Sequence, residues 1–284
     1  MNADVAALES GPPANLRYRF RLQPGARLKE LWQSRELVWT LGERELRARY
    51  KQAFLGFAWS VISPVVLMVV FTLFFRRVVK VNTGGAPYAL FSYLGLLPWT
   101  FFSNAVSNGG QVLLLNKHLL NKVYCPREVF PLSMVFTSTF DTTLALFALG
   151  MLFVITGFMP KATSYWIPVL LAIQFAFTTG ITLIVAAAVV YLRDVRHGLP
   201  LILQLGLFAT PVAYGMDLVP RHLWTVYAAI NPLAGVIDGY RRTILGGRAP
   251  DWHLVIPGAI TSAVVLVFGY AFFKRLEAGF ADVA

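Results

Sequence analysis

The chain has 284 residues, of which 57% are hydrophobic and only 14% are charged, and its formal net charge is +11. A soluble globular domain has about 25% charged residues, so this composition excludes an ordinary soluble protein and indicates an integral membrane protein. In such a protein, excess positive charge is typical of cytoplasmic loops, and no nucleic-acid partner is expected. A single cysteine, Cys125, excludes an internal disulfide.

The first 52 residues are polar and precede every long hydrophobic run. We expect residues 1–26 to form a cytoplasmic leader. Residues 27–52 are predicted to form an amphipathic helix at the membrane interface, in two pieces around Gly42; an ordinary soluble helix is the alternative. Glu43 and Glu45 stand four residues before Arg47 and Arg49, an order and spacing that favours ion pairs along a helix.

Residues 53–284 are predicted to form an all-α transmembrane domain. A helix needs about 20 residues to cross roughly 30 Å of hydrocarbon. Six apolar runs are long enough, and we expect spans at 53–75, 88–115, 129–158, 165–192, 198–216 and 254–273.

A shorter apolar stretch, residues 224–237, lies between the fifth and sixth spans and contains Asn231-Pro232 in its middle. It is too short to span a bilayer. We expect a helical hairpin that enters the membrane from the external side and returns to it. An extramembrane amphipathic hairpin is the alternative.

The distribution of lysine and arginine predicts the orientation. With both termini in the cytoplasm, 17 of the 25 Lys and Arg residues lie inside. Because positive residues concentrate on the cytoplasmic side of membrane proteins, both termini are predicted to be cytoplasmic.

A basic segment, residues 116–131, separates the second and third spans. Leu119, Leu120, Val123 and Tyr124 form an apolar face at helical spacing, and Pro126 ends any helix there. Such a helix could lie on the membrane, pack on its own chain or dock into a partner. We favour the partner.

The sequence contains few residues that could carry chemistry. It has no G-x-x-x-x-G-K-[ST] phosphate-binding loop, so we do not expect this chain to hydrolyse ATP. Its four histidines are scattered without metal-ligand spacing, so no enzyme activity, cofactor or metal is predicted. Asp141 is the acidic residue deep within a span, and we interpret it as a structural hydrogen-bonding residue; a proton relay is the alternative.

Several motifs, in this order and spacing, resemble the membrane subunit of type-2 ATP-binding-cassette exporters of bacterial cell-surface polysaccharides, including O-antigen, capsule and teichoic-acid permeases. They are E-R-E-L-R-A-R-Y-K-Q at 43–52, L-G-F-A-W at 55–59 with Pro64, Y-C-P-R-E at 124–128, Y-L-R-D-V-R-H at 191–197, T-P-V at 210–212, Asn231-Pro232, and E-A-G-F-A-D at 277–282.

The resemblance implies an inner-membrane homodimer with two separate ATPase subunits, which would bind ATP and magnesium, and a lipid-linked polysaccharide substrate among membrane lipids. It implies that residues 116–124 couple transport to the ATPase. The coupling residues would be Asn116, Lys117, Leu119, Leu120, Lys122, Tyr124 and Arg127. The interface helix would use Trp32, Trp39, Arg47, Arg49 and Tyr50.

The resemblance also implies a pore along the dimer axis, lined by the first and fifth spans, with aromatic rings that contact the sugars. The candidate pore residues are Trp59, Phe71, Phe74, Phe208 and Tyr214. The hairpin would close the periplasmic side with Trp224, Asn231, Pro232 and Tyr240.

Other functions stay open at this point. The chain could be a membrane-embedded enzyme or scaffold of glycan assembly, or an exporter of another lipid or small substrate. An ion-driven carrier would require several intramembrane carboxylates or inverted repeats, whereas we find one carboxylate and no clear repeat.

Overall fold

The computed structural model describes residues 34–51, 56–78, 83–117 and 126–280, and within these ranges every regular element is helical. The all-α class predicted from the sequence is therefore confirmed. The α-helices are α1 (Arg35–Tyr50), α2 (Ala58–Val78), α3 (Tyr88–Leu115), α4 (Val129–Thr156), α5 (Ile167–Tyr191), α6 (Arg193–Ala209), α7 (Trp224–Ile230), α8 (Pro232–Tyr240) and α9 (Trp252–Leu276). A five-residue π-helical turn, Arg241–Leu245, follows α8.

Three of these elements are long and apolar enough to cross a membrane. They are α4, α9, and α5 together with the short 3-10 turn that precedes it, Ala162–Trp166. The apolar part of α2, Ala58–Phe74, is shorter. The chain is thus an integral membrane protein whose regular elements, over the described residues, are all helical.

Helix α3 is the centre of the bundle, with α2, α4, α5 and α6 packed around it. Most of its side chains are buried, including Leu90, Leu96 and Leu113, because neighbouring helices cover several of its faces. The most extensive helix pair outside this group is α5 with α9, which cross where Gly180 meets Gly269. A Cβ on Gly269 would lie 2.4 Å from the Gly180 carbonyl oxygen, so this close approach depends on glycine.

The bundle has two ends. We call the end formed by residues 116–117, 126–128, 191–192 and 274–280 the base; there the Tyr191 hydroxyl donates to the Leu276 carbonyl at 2.8 Å. The opposite, hairpin end contains residues 83–87, 157–166, 210–223 and 241–251, where the Lys161 backbone N–H donates to the Ile244 carbonyl at 3.0 Å. Helices α3, α4, α5, α6 and α9 run alternately between these ends.

Helix α1 is continuous through Gly42, so the predicted break there is wrong. The glycine has a packing reason instead. A Cβ at this position would lie 2.6 Å from Cδ1 of Phe136 on α4, and the missing side chain lets α1 lie close against the first half of α4.

The fifth predicted span, 198–216, differs from helix α6 at both ends. The helix already begins at Arg193, with Asp194 in its first turn, where a negative charge is favourable. It ends at Ala209 because Thr210 precedes Pro211 and adopts an extended conformation, with φ −101° and ψ 142°. A residue before proline is disfavoured in the helical region.

The helix–break–helix pattern predicted around Asn231 is confirmed. Helices α7 and α8 meet at Asn231, which has φ −125° and ψ 83° and belongs to neither helix. Pro232 occupies the first turn of α8, where its missing N–H costs nothing.

Candidate functional site

A buried ion pair stands at the base, directly after the predicted coupling segment. The Lys274 ammonium on α9 lies 2.5 Å from a Glu128 carboxylate oxygen and 2.8 Å from Glu277. Glu128 is 2% exposed and Lys274 8% exposed, as side chains. The neighbouring Arg127 donates through its guanidinium to the Glu277 carbonyl and lies over the Phe280 ring. The chain is therefore tied to the C-terminal end of α9 where it leaves the coupling segment.

The other flank of that segment is tied to α1. Arg44 donates to the Asn116 side-chain oxygen at 2.7 Å, and Asn116 caps α3 by donating to the Val112 carbonyl at 3.0 Å. Lys117 is exposed. The other predicted coupling residues, apart from Arg127, lie outside the described residues; they are Leu119, Leu120, Lys122 and Tyr124.

The predicted interface residues of α1 divide between its two sides. Trp39 is 60% exposed, but its ring packs against that of Phe136 in a tilted arrangement, with ring centroids 4.9 Å apart. The predicted ion pairs along the helix are confirmed, at 2.6 Å for Arg47–Glu43 and 3.8 Å for Arg49–Glu45. Trp32 lies outside the described residues.

Asp141 joins three segments of the chain. One carboxylate oxygen accepts from Arg49 at 3.0 Å, and the other accepts from the Tyr50 hydroxyl at 2.5 Å and from Ser60 at 3.1 Å. The carboxylate is thereby paired with a cation and with two hydroxyls, as a buried charge requires. These contacts support the interpretation of Asp141 as a structural hydrogen-bonding residue, and they connect α1 and α2 to α4.

The predicted pore residues do not share one environment. Trp59 and Phe74 on α2 and Phe208 on α6 are exposed on the described chain, at 52%, 65% and 56%. Tyr214 is half-buried, and its hydroxyl donates to the Phe208 carbonyl at 3.1 Å. Phe71 differs from the prediction, because it is 5% exposed and belongs to the hydrophobic core.

The exposed rings lie on two helices that contribute little to the core. Helix α2 packs on α3 and α4, whereas α6 packs on α3 and α5. Besides their rings, both helices expose aliphatic side chains: Val66, Val69, Val70 and Leu73 on α2, and Leu201, Ile202 and Leu205 on α6. A soluble surface would not leave such continuous apolar faces uncovered.

The hairpin of α7 and α8 caps the end of α6. The Asn231 side chain donates to the Thr210 hydroxyl at 2.8 Å. The Tyr227 hydroxyl donates to the Ala209 carbonyl and lies 3.4 Å from the Tyr214 hydroxyl. Because the last carbonyls of a helix have no partner within it, these side chains fasten the hairpin to the end of α6.

The remaining predicted gate residues anchor the hairpin itself. The Trp224 indole N–H donates to the Val219 carbonyl at 2.9 Å. Pro232 is buried, and the buried Tyr240 hydroxyl donates to the Gln174 side-chain oxygen on α5 at 3.0 Å.

Arg241, in the π-helical turn after α8, is the most connected side chain of the hairpin end. Its guanidinium donates to four backbone carbonyls at distances from 2.5 to 3.0 Å and lies 3.6 Å from the centroid of the Phe91 ring. The acceptors are the carbonyls of Phe91, Pro211, Val212 and Tyr214. One side chain therefore holds the non-helical segment after α6 against the start of α3.

A cavity of about 520 Å³ opens beside Arg241, and its lining includes four arginines and two aspartates. Asp238 stands in its wall, and one of its carboxylate oxygens is buried without a hydrogen-bond partner among the described residues. Burial raises the pKa of Asp238 to about 6, although the guanidiniums of Arg242 and Arg241 oppose that rise.

Neither Arg241 nor Asp238 is among the residues predicted from the sequence, because the predicted apolar stretch ends at Ile237, one residue before Asp238. A carboxylate followed closely by two arginines within an otherwise apolar segment is the signal that could have found them.

Comparisons with known proteins agree with this architecture. The family described as ABC-2 type transporter matches residues 36–245. The chain is 34% identical over 256 residues to the O-antigen export system permease protein RfbA of Myxococcus xanthus, which covers 90% of this chain and 98% of that protein. It is 26% identical to the Klebsiella pneumoniae protein of the same name, over 87% of this chain and 95% of that one.

A third relative is named for the transport of a different substrate. The polysialic acid transport protein KpsM of Escherichia coli is 22% identical over 82% of this chain and 91% of its own length. The family match covers well over half of the chain, and the similarity to the Myxococcus protein extends over nearly all of both proteins. The chain is a member of the ABC-2 type transporter family.

Proposed function

We propose that this chain is the membrane subunit of an ATP-driven exporter that moves a lipid-linked cell-surface polysaccharide across the bacterial inner membrane. The observation that carries the proposal is the similarity to a protein named as an O-antigen export permease, which extends over 98% of that protein's length. The relative named for polysialic acid transport also belongs to polysaccharide export. The chain itself is not an enzyme, and ATP with magnesium binds to a separate ATPase subunit.

In this proposal two copies of the chain assemble with two ATPase subunits. The exposed apolar faces of α2 and α6 support a second copy, because they are continuous and carry three large exposed rings. Trp59, Phe74 and Phe208 line the pathway between the copies, where flat apolar rings offer sugar units repeated weak contacts. Phe71 does not line this pathway, because it packs in the hydrophobic core on the inner side of α2.

The proposed topology has six membrane spans, formed by α2, α3, α4, α5, α6 and α9. The alternation of helices between the base and the hairpin end supports it, and an even number of spans places both termini on one side. The lysine and arginine distribution assigns that side, and hence the base, to the cytoplasm. Helix α1 then lies at the cytoplasmic interface, and the α7–α8 hairpin re-enters the membrane from the periplasm and acts as a gate.

The segment between Lys117 and Pro126 is the proposed docking element for the ATPase. Its two flanks support this, because Asn116 is bound to α1 and the residues after Pro126 are bound to the end of α9. A segment held at both flanks can transmit a push from a partner into α3 and α4.

Deletion of the gene in its own bacterium tests the function. We expect loss of surface polysaccharide, and a plasmid copy should restore it. Copies with alanine at Trp59, Phe74 or Phe208 should restore less at equal protein level, whereas alanine at Phe147, an exposed ring on α4, should behave like wild type. Surface polysaccharide that persists after deletion would contradict export, and normal export by all three ring variants would contradict the aromatic pathway.

Cys125, the only cysteine of the chain, tests orientation and docking together. A membrane-impermeant maleimide should label it in inverted vesicles and leave it unlabelled in intact cells. Adding the ATPase subunit to the inverted vesicles should protect it. A Cys125→Ser chain gives the background. Labelling of intact cells would overturn the orientation, and labelling that the ATPase leaves unchanged would overturn the docking role.

A further inference from the structure

The cavity beside Arg241 has the size of a ligand-binding site. Its volume of about 520 Å³ lies within the range of roughly 300–1,000 Å³ that is common for small-molecule pockets. Its walls come from the loop before α3 and the start of that helix, the segment after α6, the start of α7, the end of α8 with the π-helical turn, and the loop before α9. In the proposed topology it opens on the periplasmic side.

The arginines around the cavity differ in whether protein groups bind them. Arg241 is saturated by four carbonyls, and Arg242 binds Asp251 at 3.0 Å. In contrast, Arg221 and Arg248 are exposed and form no ion pair with any carboxylate in the described ranges. The cavity therefore presents two guanidiniums whose hydrogen bonds a ligand can accept.

Asp238, in contrast to the arginines, needs a ligand that donates a hydrogen bond. Its buried carboxylate oxygen lacks a hydrogen-bond donor among the described residues, and an oxygen of this kind accepts hydrogen bonds. A phosphodiester, sulfate or carboxylate ligand would accept from the arginines but carries no proton to donate to this oxygen. A hydroxyl group satisfies both, since it donates and accepts.

The ring of Trp224 adds a flat apolar surface to the same cavity. Its orientation is held by the indole hydrogen bond to Val219, and the Arg221 guanidinium lies 5.8 Å from the ring centroid. An ammonium group could also donate to Asp238, but it would enter a cavity with four guanidiniums and two carboxylates. A neutral donor avoids that repulsion.

We propose that this cavity binds a sugar unit of the exported glycan, with its hydroxyls between Asp238 and the guanidiniums of Arg221 and Arg248, and with the apolar face of the sugar on Trp224. This inference rests on the proposed function and adds to it a second contact with the substrate, outside the pathway between the two copies. A weak site there would hold the emerging chain and hinder its return.

Binding is tested on the complete complex of permease and ATPase in lipid nanodiscs. The probe is a set of short oligosaccharides released from the polysaccharide of the same bacterium, and the measurement is saturation-transfer NMR. The variants Asp238→Asn, Trp224→Ala and Arg248→Gln should each weaken binding by about tenfold or more, the scale of a lost charged hydrogen bond. Tyr165→Ala, an exposed ring at the same end, and Arg275→Gln, an exposed arginine at the base, should not.

Arg248→Gln alters an exposed side chain and tests the site even if the Asp238 variant does not fold. Oligosaccharide binding that all three variants leave unchanged would overturn the site. Displacement of a nanodisc phospholipid, without any oligosaccharide signal, would assign the cavity to a lipid headgroup and also overturn it. Wild-type complementation of the deletion strain keeps the outcomes separate, because failure of the sugar site with intact wild-type export leaves the proposed function standing.

Discussion

Replacing Lys274 by methionine is expected to destabilise the folded chain by about 3–5 kcal/mol, the usual cost of leaving one partner of a buried ion pair without the other. The Glu128 carboxylate, 2% exposed, would lose the ammonium that lies 2.5 Å away. Thermal unfolding of the purified protein, with the Lys274→Met, Glu128→Gln and double variants compared, measures the coupling between the two side chains. The double variant should recover much of the loss.

Arg275→Met is the matched control, because Arg275 is adjacent on α9 and exposed. It should unfold like wild type. A pH series adds a second readout. Burial raises the pKa of Glu128, and the Lys274 ammonium opposes that rise. Without the ammonium the folded state binds a proton still more readily than the unfolded state, so the loss in Lys274→Met should shrink as pH falls. A Lys274→Met chain as stable as wild type would contradict the buried pair.

The same variant has a functional consequence. Glu128 lies directly before α4, and Arg127 beside it is bound to Glu277 after α9. Loss of the pair should loosen this flank of the proposed docking segment. We therefore expect Lys274→Met complexes to lose export more than ATP hydrolysis, since the ATPase remains intact.

Replacing Arg241 by lysine or methionine is expected to destabilise the hairpin end of the bundle. Methionine removes the donors of four hydrogen bonds, and each buried carbonyl left unsatisfied costs about 1–3 kcal/mol. Relief from burying a charge offsets part of this, so the net loss should still exceed the roughly 1 kcal/mol typical of a point mutation.

Lysine tests whether charge or geometry matters at this position. Its ammonium keeps the charge but cannot reproduce the planar fork of five donors, so Arg241→Lys should be nearly as damaging as methionine. The matched control is Arg242→Lys, because Arg242 is partly exposed and paired with Asp251; we expect a change below about 1 kcal/mol. Unfolding midpoints measure both variants. A lysine variant with wild-type stability would show that the charge alone suffices.

The sequence by itself determined the features that depend on local pattern. Apolar runs of span length predicted the helices, and three of them, α4, α5 and α9, have the length and hydropathy of membrane spans in the structure. The spacing of Glu43 and Arg47 predicted their ion pair, and Asn231-Pro232 predicted the break between α7 and α8. Each of these results follows from residues within a few positions of one another.

The tertiary structure decided what depends on distant neighbours. Phe71 and Phe74 are three residues apart on α2, yet one is buried in the core and the other is 65% exposed, and hydropathy is blind to this difference. Lys274 meets Glu128 across 146 positions of the chain. The packing of helices decides which side chains are buried, which charges are paired and how much each charge contributes to stability. It brings together residues that are far apart in the sequence.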